Sequence, residues 1–221
     1  MSLPWPGFHV GSLLATSSII LLSAAAGLQA ERLAHRAGRA GAIVETITKS
    51  AFLDEQFASS SGLFRADLEA YRNHTYRVLN FALALAPVLP DARRKLEIAS
   101  YFHDIGIWAD STFDYIEPSA LRAREYLDAN GLSAWGAEMT RMISEHHKVR
   151  SAHHDGPLVE AFRKADWVDV SLGLLRFRLS GPFVSEVRRA FPNQGFHRRL
   201  VELTLQRVRR HPLSPLPMFK W

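Results

Sequence analysis

A histidine and an aspartate, His103 and Asp104, stand side by side within the mostly apolar segment IASYFHDIGIWAD, residues 98–110. Moving an ionised carboxylate out of water costs several kcal/mol unless a hydrogen bond or an opposite charge compensates it. A fold that buries this segment must therefore bring compensating groups to the pair from other parts of the chain.

Apolar residues after Gly41 recur with helical spacing almost throughout. A helix predicted from about Phe64 to Ala86 carries one apolar face, because its apolar residues repeat at intervals of three and four. The polar residues that share or end such apolar stripes are His74, the His103–Asp104 pair, His146 and Asp166. No alternating strand pattern and no repeat accompanies them, so the predicted fold class is all-α.

The composition limits the chemistry that the chain can perform. The 221 residues suit one globular domain with an extension, and there is no cysteine. Disulfides, thiolate metal sites and cysteine nucleophiles are therefore excluded. Histidine and carboxylate remain as the strong metal ligands, and the chain has ten histidines.

The first thirty residues contain no Asp, Glu, Lys or Arg. We divide the chain into an apolar N-terminal extension, residues 1–40, and a helical domain, residues 41–221. Three interpretations of residues 1–30 remain open: a helix or extension lying on the domain, a membrane anchor, and a secretory signal without its basic start. The first is favoured slightly over the anchor. The predicted location is the cytoplasm, with membrane contact through residues 1–30 if they insert.

The net charge of +5 arises partly from arginines late in the chain, including Arg188, Arg189, Arg209 and Arg210. A solvated helix face explains such a run more simply than a nucleic-acid site. No zinc-finger spacing or RNA-binding aromatic signature accompanies the arginines. No specific nucleic-acid partner is predicted.

A single histidine on an apolar helix face is usually a hydrogen-bonded core residue. The joint occurrence of several inward imidazoles and carboxylates, without matching buried cations in their stripes, is much more costly. A divalent ion would compensate all of them. Mixed imidazole and carboxylate ligation suits Mn, Fe, Co, Ni or Zn better than Ca. The motifs of zincins, EF-hands, phosphate-binding loops and nucleophile elbows are absent.

The order of these residues resembles the HD-domain superfamily of metal-dependent phosphohydrolases. The matching segments are NHTYRV with His74, YFHDIG with His103 and Asp104, and RKADWVDVS with Asp166. Their separations, 103 − 74 = 29 and 166 − 104 = 62, are similar to those of the superfamily. The resemblance covers about residues 64–175, and ISEHHK and FPNQGFH are similar to a little-characterised bacterial branch.

This resemblance implies an orthogonal helical bundle in which four side chains hold one metal ion: His74, His103, Asp104 and Asp166. Asp169, one turn after Asp166, is the alternative last ligand. In members with two ions, further histidines take part, and His146 and His147 are the candidates here. A complete second site is not expected, because no histidine lies between Asp104 and His146.

The implied activity is hydrolysis of a small anionic substrate: a phosphomonoester, a phosphodiester or a nucleotide. Asp104 would orient or deprotonate the attacking water, and His146 or His147 would stabilise the leaving oxygen or hold a second ion. The candidate phosphate-binding cations are Arg77, Lys148 and Lys164. Six aromatic residues near the predicted site are interpreted as core more readily than as a base-stacking surface. They are Tyr101, Phe102, Trp108, Phe113, Tyr115 and Trp167.

Three other functions remain open for a chain of this kind. A cyanamide hydratase-like enzyme of the same fold would not depend on Arg77 or Lys148. A di-iron oxygenase would need His146 or His147 as a ligand of a second iron. A non-catalytic metal-binding sensor would show no turnover at all.

Overall fold

The computed structural model describes residues 45–211 and residue 218. Every regular element in these ranges is helical and none is a strand, which confirms the predicted all-α class. The α-helices are α1 Ala51–Ser59, α2 Ser61–Phe64, α3 Leu68–Leu85, α4 Ala92–Phe102, α5 Gly106–Ala109, α6 Ile116–Ala129, α7 Gly136–Glu145, α8 Pro157–Val170, α9 Gly181–Ala190 and α10 Phe196–Arg210. Short 3₁₀ turns occur at Arg65–Asp67, Ser133–Trp135 and His153–Asp155.

The predicted N-terminal extension, residues 1–40, lies outside the described residues, and so do its three interpretations. Within the described part of the chain, no helix has both the length and the apolar character needed to cross a bilayer. The cytoplasmic location stays a prediction.

Helix α3 lies at the centre of the domain and packs most extensively along α8. Its apolar residues, such as Tyr71, Val78 and Phe81, are fully buried. Helix α8 begins with proline at its first turn, where the missing N–H group costs nothing, and buries Phe162 and Val168 against the core. Because both helices are buried along most of their length, any polar side chain on their shared face is removed from water.

A close backbone approach follows α4. The helix ends at Phe102, directly before the His103–Asp104 pair, and the short helix α5 begins two residues after Asp104. A Cβ atom on Gly106 would lie 2.8 Å from the carbonyl oxygen of Tyr115, so no other residue fits this position without a shift. Gly106 thereby allows the loop before α6 to pack directly against the turn that carries the His103–Asp104 pair.

Glu160 on α8 fixes the loop that follows α7. Its buried carboxylate accepts hydrogen bonds from the backbone N–H of Ala152 at 2.7 Å and from two nitrogens of Arg163 at 2.8 Å. The ammonium group of Lys164 lies 3.2 Å away. Burial alone would raise the pKa of Glu160, but the hydrogen bonds and charge of Arg163 outweigh it and lower this pKa to about 2.

We expect this carboxylate to make the fold sensitive to acid. Its folded-state pKa lies below its ordinary value of 4.5, so its stabilisation is present above pH 4.5 and is lost as the pH falls towards 2. Glu160→Gln should lower the free energy of unfolding by about 3 kcal/mol at pH 7, and this difference should disappear near pH 2. Urea unfolding across this range measures it. The exposed Glu117→Gln is the control, and a difference that does not change with pH would contradict the assignment.

Candidate metal centre

Six polar side chains from four parts of the chain meet in the core. They are His74 on α3, His103 and Asp104 after α4, His146 and His147 after α7, and Asp166 on α8. Their exposed fractions are 0%, 0%, 2%, 0%, 8% and 1% in that order, so the whole group is removed from water. The structure thus brings together six of the seven residues that the sequence analysis put forward as metal ligands, and the position of the seventh, Asp169, is described below.

The Nε2 atoms of His74 and His103 lie 2.9 Å apart. The Nδ1 atom of His74 donates to Asp169 Oδ2 at 2.7 Å, and that of His103 donates to the Ser100 carbonyl oxygen at 2.9 Å. With these protons on Nδ1, a ring without a second proton presents a lone pair at Nε2, and two facing lone pairs repel unless a cation lies between them. Burial lowers the pKa of His103 to about 4, against the opposing effect of Asp104, so the His103 ring carries no second proton at neutral pH.

Two nitrogen ligands at about 2.1 Å from one metal ion, at right angles to each other, are about 3 Å apart. The observed separation of the two Nε2 atoms agrees with this distance. The pair therefore has the spacing of two ligands of one metal ion, whereas a direct hydrogen bond of this length would require a proton on one of the two Nε2 atoms.

Each of the two carboxylates faces both pairs of histidines. Asp104 Oδ2 lies 3.6 Å from His74 Nε2 and 3.5 Å from His103 Nε2, whereas its Oδ1 lies 3.3 Å from His146 Nε2. Asp166 Oδ1 lies 3.8 and 3.9 Å from the same two Nε2 atoms of His74 and His103. Its Oδ2 lies 3.3 Å from His147 Nδ1. Asp104 and Asp166 therefore bridge the two halves of the group.

Several of these atoms have no hydrogen-bond partner among the described residues. They are Asp104 Oδ1, His146 Nε2 and both side-chain oxygens of Asp166. Burial raises the pKa of both carboxyl groups, but the neighbouring histidines lower it more, so both carboxylates are ionised. Buried, ionised oxygens that accept no hydrogen bond are costly, and a divalent cation would satisfy all of them. The donor set therefore fits a metal ion.

The second pair of histidines is also fixed by its outer nitrogens. His146 Nδ1 donates to the Ile143 carbonyl oxygen at 2.6 Å, which leaves Nε2 directed at Asp104. His147 Nε2 lies 2.6 Å from Tyr115 Oη, which leaves Nδ1 directed at Asp166. Oxygens of Asp104 and Asp166 lie beside these two rings, so they could serve as further ligands without a histidine between Asp104 and His146. The expectation of an incomplete second site stays a prediction.

The structure distinguishes the two candidates for the last ligand. Asp169 binds the outer nitrogen of His74 and pairs with Arg77 through Nε and, at 2.8 Å, through Nη2. It therefore lies behind the His74 ring, away from the other ligand atoms, where it fixes the orientation of the ring. The Phe196 ring stacks on His74 with a centroid distance of 3.9 Å. Asp166 is the carboxylate that faces the group.

The structure contradicts the assignment of Arg77 as a phosphate-binding residue. Its side chain is 1% exposed, and besides Asp169 it donates to the carbonyl oxygens of Phe191 and Pro192 at 3.0 and 3.3 Å. A guanidinium group so fully occupied cannot also bind a substrate.

The other two candidate cations are held by acidic partners. Lys148 lies 3.2 Å from Glu145 and 3.4 Å from Asp155, and Lys164 is paired with Glu160. Their roles as substrate ligands stay predictions.

Sequence reasoning missed the role of Tyr115. This tyrosine is 1% exposed, and its hydroxyl group lies beside His147 at the edge of the centre. Burial, followed by the charges of Asp104 and Asp166, raises the pKa of Tyr115 well above its usual value. The phenol therefore keeps its proton at neutral pH. No sequence signal could have shown this, because Tyr115 comes from a loop without a periodic pattern.

A buried group of four imidazoles and two bridging carboxylates in a helical bundle defines a candidate centre for divalent metal ions. Residues 71–171 match the family model described as HD domain. This part of the chain is an HD domain, and the predicted superfamily resemblance is confirmed at that level. No curated protein and no solved structure matches the chain significantly. The bacterial branch therefore stays a prediction.

Proposed function

We propose that this protein is a metal-dependent phosphohydrolase. The observation that carries the proposal is the 2.9 Å approach of His74 Nε2 to His103 Nε2 beside buried carboxylate oxygens that accept no hydrogen bond. The HD domain over residues 71–171 supports it, because its family consists typically of metal-dependent phosphohydrolases.

The ligand atoms divide into two sets. The first set comprises His74 Nε2, His103 Nε2, Asp104 Oδ2 and Asp166 Oδ1, and it would hold one ion. The second set comprises His146 Nε2, His147 Nδ1, Asp104 Oδ1 and Asp166 Oδ2, and it would hold another. Such a mixed set favours Mn, Fe, Co, Ni or Zn. A bound divalent ion supplies an activated water and neutralises charge on phosphoryl oxygens.

The protein's own residues orient the centre and control its protons. Asp169 and the Ser100 carbonyl oxygen keep the protons of His74 and His103 on Nδ1, so that both Nε2 atoms face inward. His147 donates from Nε2 to Tyr115 Oη when its Nδ1 serves as a ligand. The protonated Tyr115 is then the group at the edge of the centre that can donate a hydrogen bond to a leaving oxygen.

Substrate would reach the centre from the side of His147. This residue is the most exposed of the six, at 8%, and the half-buried Lys148 follows it directly. Because Arg77 is occupied, Lys148 is the candidate cation that we place at the entrance. A phosphoester would have to compete with Glu145 and Asp155 for its ammonium group.

A two-metal oxygenase is the second candidate function. The second ligand set favours it, because an oxygenase of this kind needs His146 or His147 to hold a second iron. The occupied guanidinium group of Arg77 also favours it, because that group is not available to bind a phosphate. The cyanamide hydratase-like enzyme and the non-catalytic sensor have no comparable observation in their favour, and the assay below also separates them.

The test uses the full chain loaded with Mn, Fe, Co, Ni or Zn and a panel of phosphomonoesters, phosphodiesters and nucleotides. We expect metal-dependent phosphate ester hydrolysis that Asp104→Asn lowers roughly 1,000-fold, since metal activation is worth several kcal/mol. Asp128→Asn, an exposed carboxylate on α6, should have no effect. Oxygen consumption by the ferrous protein without ester hydrolysis would favour the oxygenase. Cyanamide hydration would favour the hydratase. The absence of any turnover would favour the sensor.

A further inference from the structure

A cleft of about 450 Å³ opens between the loop after α8 and helix α9. Its lining residues are Leu172, Gly173, Arg176, Gly181, Val184, Ser185, Arg188 and Arg189. Three of them are arginines and none is acidic. The cleft lies outside the metal centre, and the proposed function makes no use of it.

The three arginines have no acidic partner among the described residues. Glu186, the acidic residue of α9, instead accepts a hydrogen bond from the Thr46 hydroxyl group at 2.6 Å. A Cβ atom on Gly181 would lie 2.5 Å from Arg176 Nη1, so the guanidinium group of Arg176 packs directly over the helix backbone. Like charges gathered without a counter-charge repel each other, and a bound anionic group would relieve this repulsion.

Two exposed leucines adjoin the arginines. Leu172, which lines the cleft, is 47% exposed and Leu174 is 76% exposed. Leu172 has a φ of +57°, a left-handed conformation that is unfavourable for a bulky residue. Glycine or asparagine would adopt it with less strain at the end of α8. The chain thus presents an apolar side chain to water in a strained turn, a combination that indicates a functional surface.

A further apolar tip lies at the end of α3. Arg178 Nη2 donates to the carbonyl oxygen of Leu85, which joins the loop after α8 to the C-terminus of α3. Val88 and Leu89 follow this point and are 104% and 40% exposed. The loop after α8 and the end of α3 that it contacts therefore combine exposed aliphatic side chains with arginines.

We propose that this surface, the loop after α8 with the arginine cleft, docks on a membrane that contains anionic lipids. Leu172 and Leu174 would enter the interface, and Arg176, Arg188 and Arg189 would bind lipid phosphate groups. A soluble phosphorylated ligand would make no use of the exposed leucines. Single-stranded nucleic acid is disfavoured because no aromatic side chain lines the cleft. The proposal does not depend on the activity of the metal centre.

The test exploits the absence of cysteine from the chain. Full-length Leu174→Cys, labelled with nitrobenzoxadiazole, is titrated with phosphatidylcholine vesicles with and without phosphatidylserine. We expect a several-fold rise and a blue shift of emission with the anionic vesicles alone. The same label at Leu205→Cys, an exposed position on α10, should not respond.

Charge-matched variants show which arginines are responsible. In the labelled protein, the triple change Arg176→Gln, Arg188→Gln and Arg189→Gln should weaken partitioning roughly 100-fold. The triple change Arg198→Gln, Arg209→Gln and Arg210→Gln on α10 removes the same charge and should leave partitioning unchanged. Leu172→Asn should weaken partitioning while the Tm stays equal or rises, because it relieves the strained turn.

Four results with the labelled protein and its variants would each overturn the proposal. They are an unresponsive label at position 174, an equal response at position 205, equal effects of the two triple variants, and a loss of folding in Leu172→Asn. If the protein binds inorganic phosphate or single-stranded DNA but does not respond to vesicles, the cleft binds a soluble anion and not a membrane. If residues 1–30 alone bind the protein to vesicles, the cleft variants should partition as the wild type does. That result would also overturn the proposal.

Discussion

Asp104→Ala should remove bound metal from both halves of the centre. One oxygen of this carboxylate faces His74 and His103, and the other faces His146 at 3.3 Å, so both ligand sets lose a member together. We expect two ions per chain in the wild type and less than one in Asp104→Ala. Elemental analysis of both proteins after refolding from urea in the same metal buffer measures the difference.

Two matched variants test whether Asp104 contributes to both ligand sets or to one of them. His146→Ala removes a ligand from the second set alone and should leave one ion in place. Asp169→Asn keeps an acceptor for His74 and removes no ligand, so both ions should remain, with affinity weakened about 10–100-fold. Equal metal content in the wild type and Asp104→Ala would exclude the ligand assignment.

Arg77→Met should destabilise the fold by about 3–5 kcal/mol, because it leaves the carboxylate of Asp169 buried without its counter-charge. The double variant Arg77→Met with Asp169→Asn removes the unpaired charge and should recover about half of this loss. Urea unfolding of the wild type, the two single variants and the double variant at pH 7 completes the cycle.

Arg122→Met is the control for this experiment. Arg122 makes a bidentate ion pair of the same kind with Asp110, with both hydrogen bonds 2.9 Å long. This pair lies on the surface, and the two side chains are 39% and 32% exposed. Its loss should cost no more than about 1 kcal/mol. If the two substitutions cost the same, burial of the Arg77–Asp169 pair has no energetic consequence and the argument is wrong.

The sequence was sufficient to predict the all-α class and the side chains that gather in the core. Apolar neighbours on a helix determine which way a polar residue points, and this applies to His74, His103 and Asp166 alike. Periodicity could not separate Asp166 from Asp169, because residues three apart share a helix face. The choice depends on Arg77, which lies 92 residues away from Asp169 in sequence.

Arg77 shows why the predicted substrate contacts were less secure. A cation one turn after His74 has the spacing of a ligand to the same substrate, and its sequence context is unremarkable. Its burial results from α8 and from the backbone carbonyl oxygens of Phe191 and Pro192, more than a hundred residues further on. Such tertiary partners leave no local trace in the sequence. The same reason applies to Tyr115, which reaches His147 from a loop.

The burial of the centre has a consequence for how ions enter and leave it. Five of its six side chains are 0–2% exposed, so an ion held there would face solvent only on the side of His147. Its release would require several buried ligands to move together, which is a slow and rare event in a packed core. The ions acquired during folding would then be kept. The metal supply at the time of synthesis, rather than the equilibrium preference of the ligands, would decide which element occupies the protein.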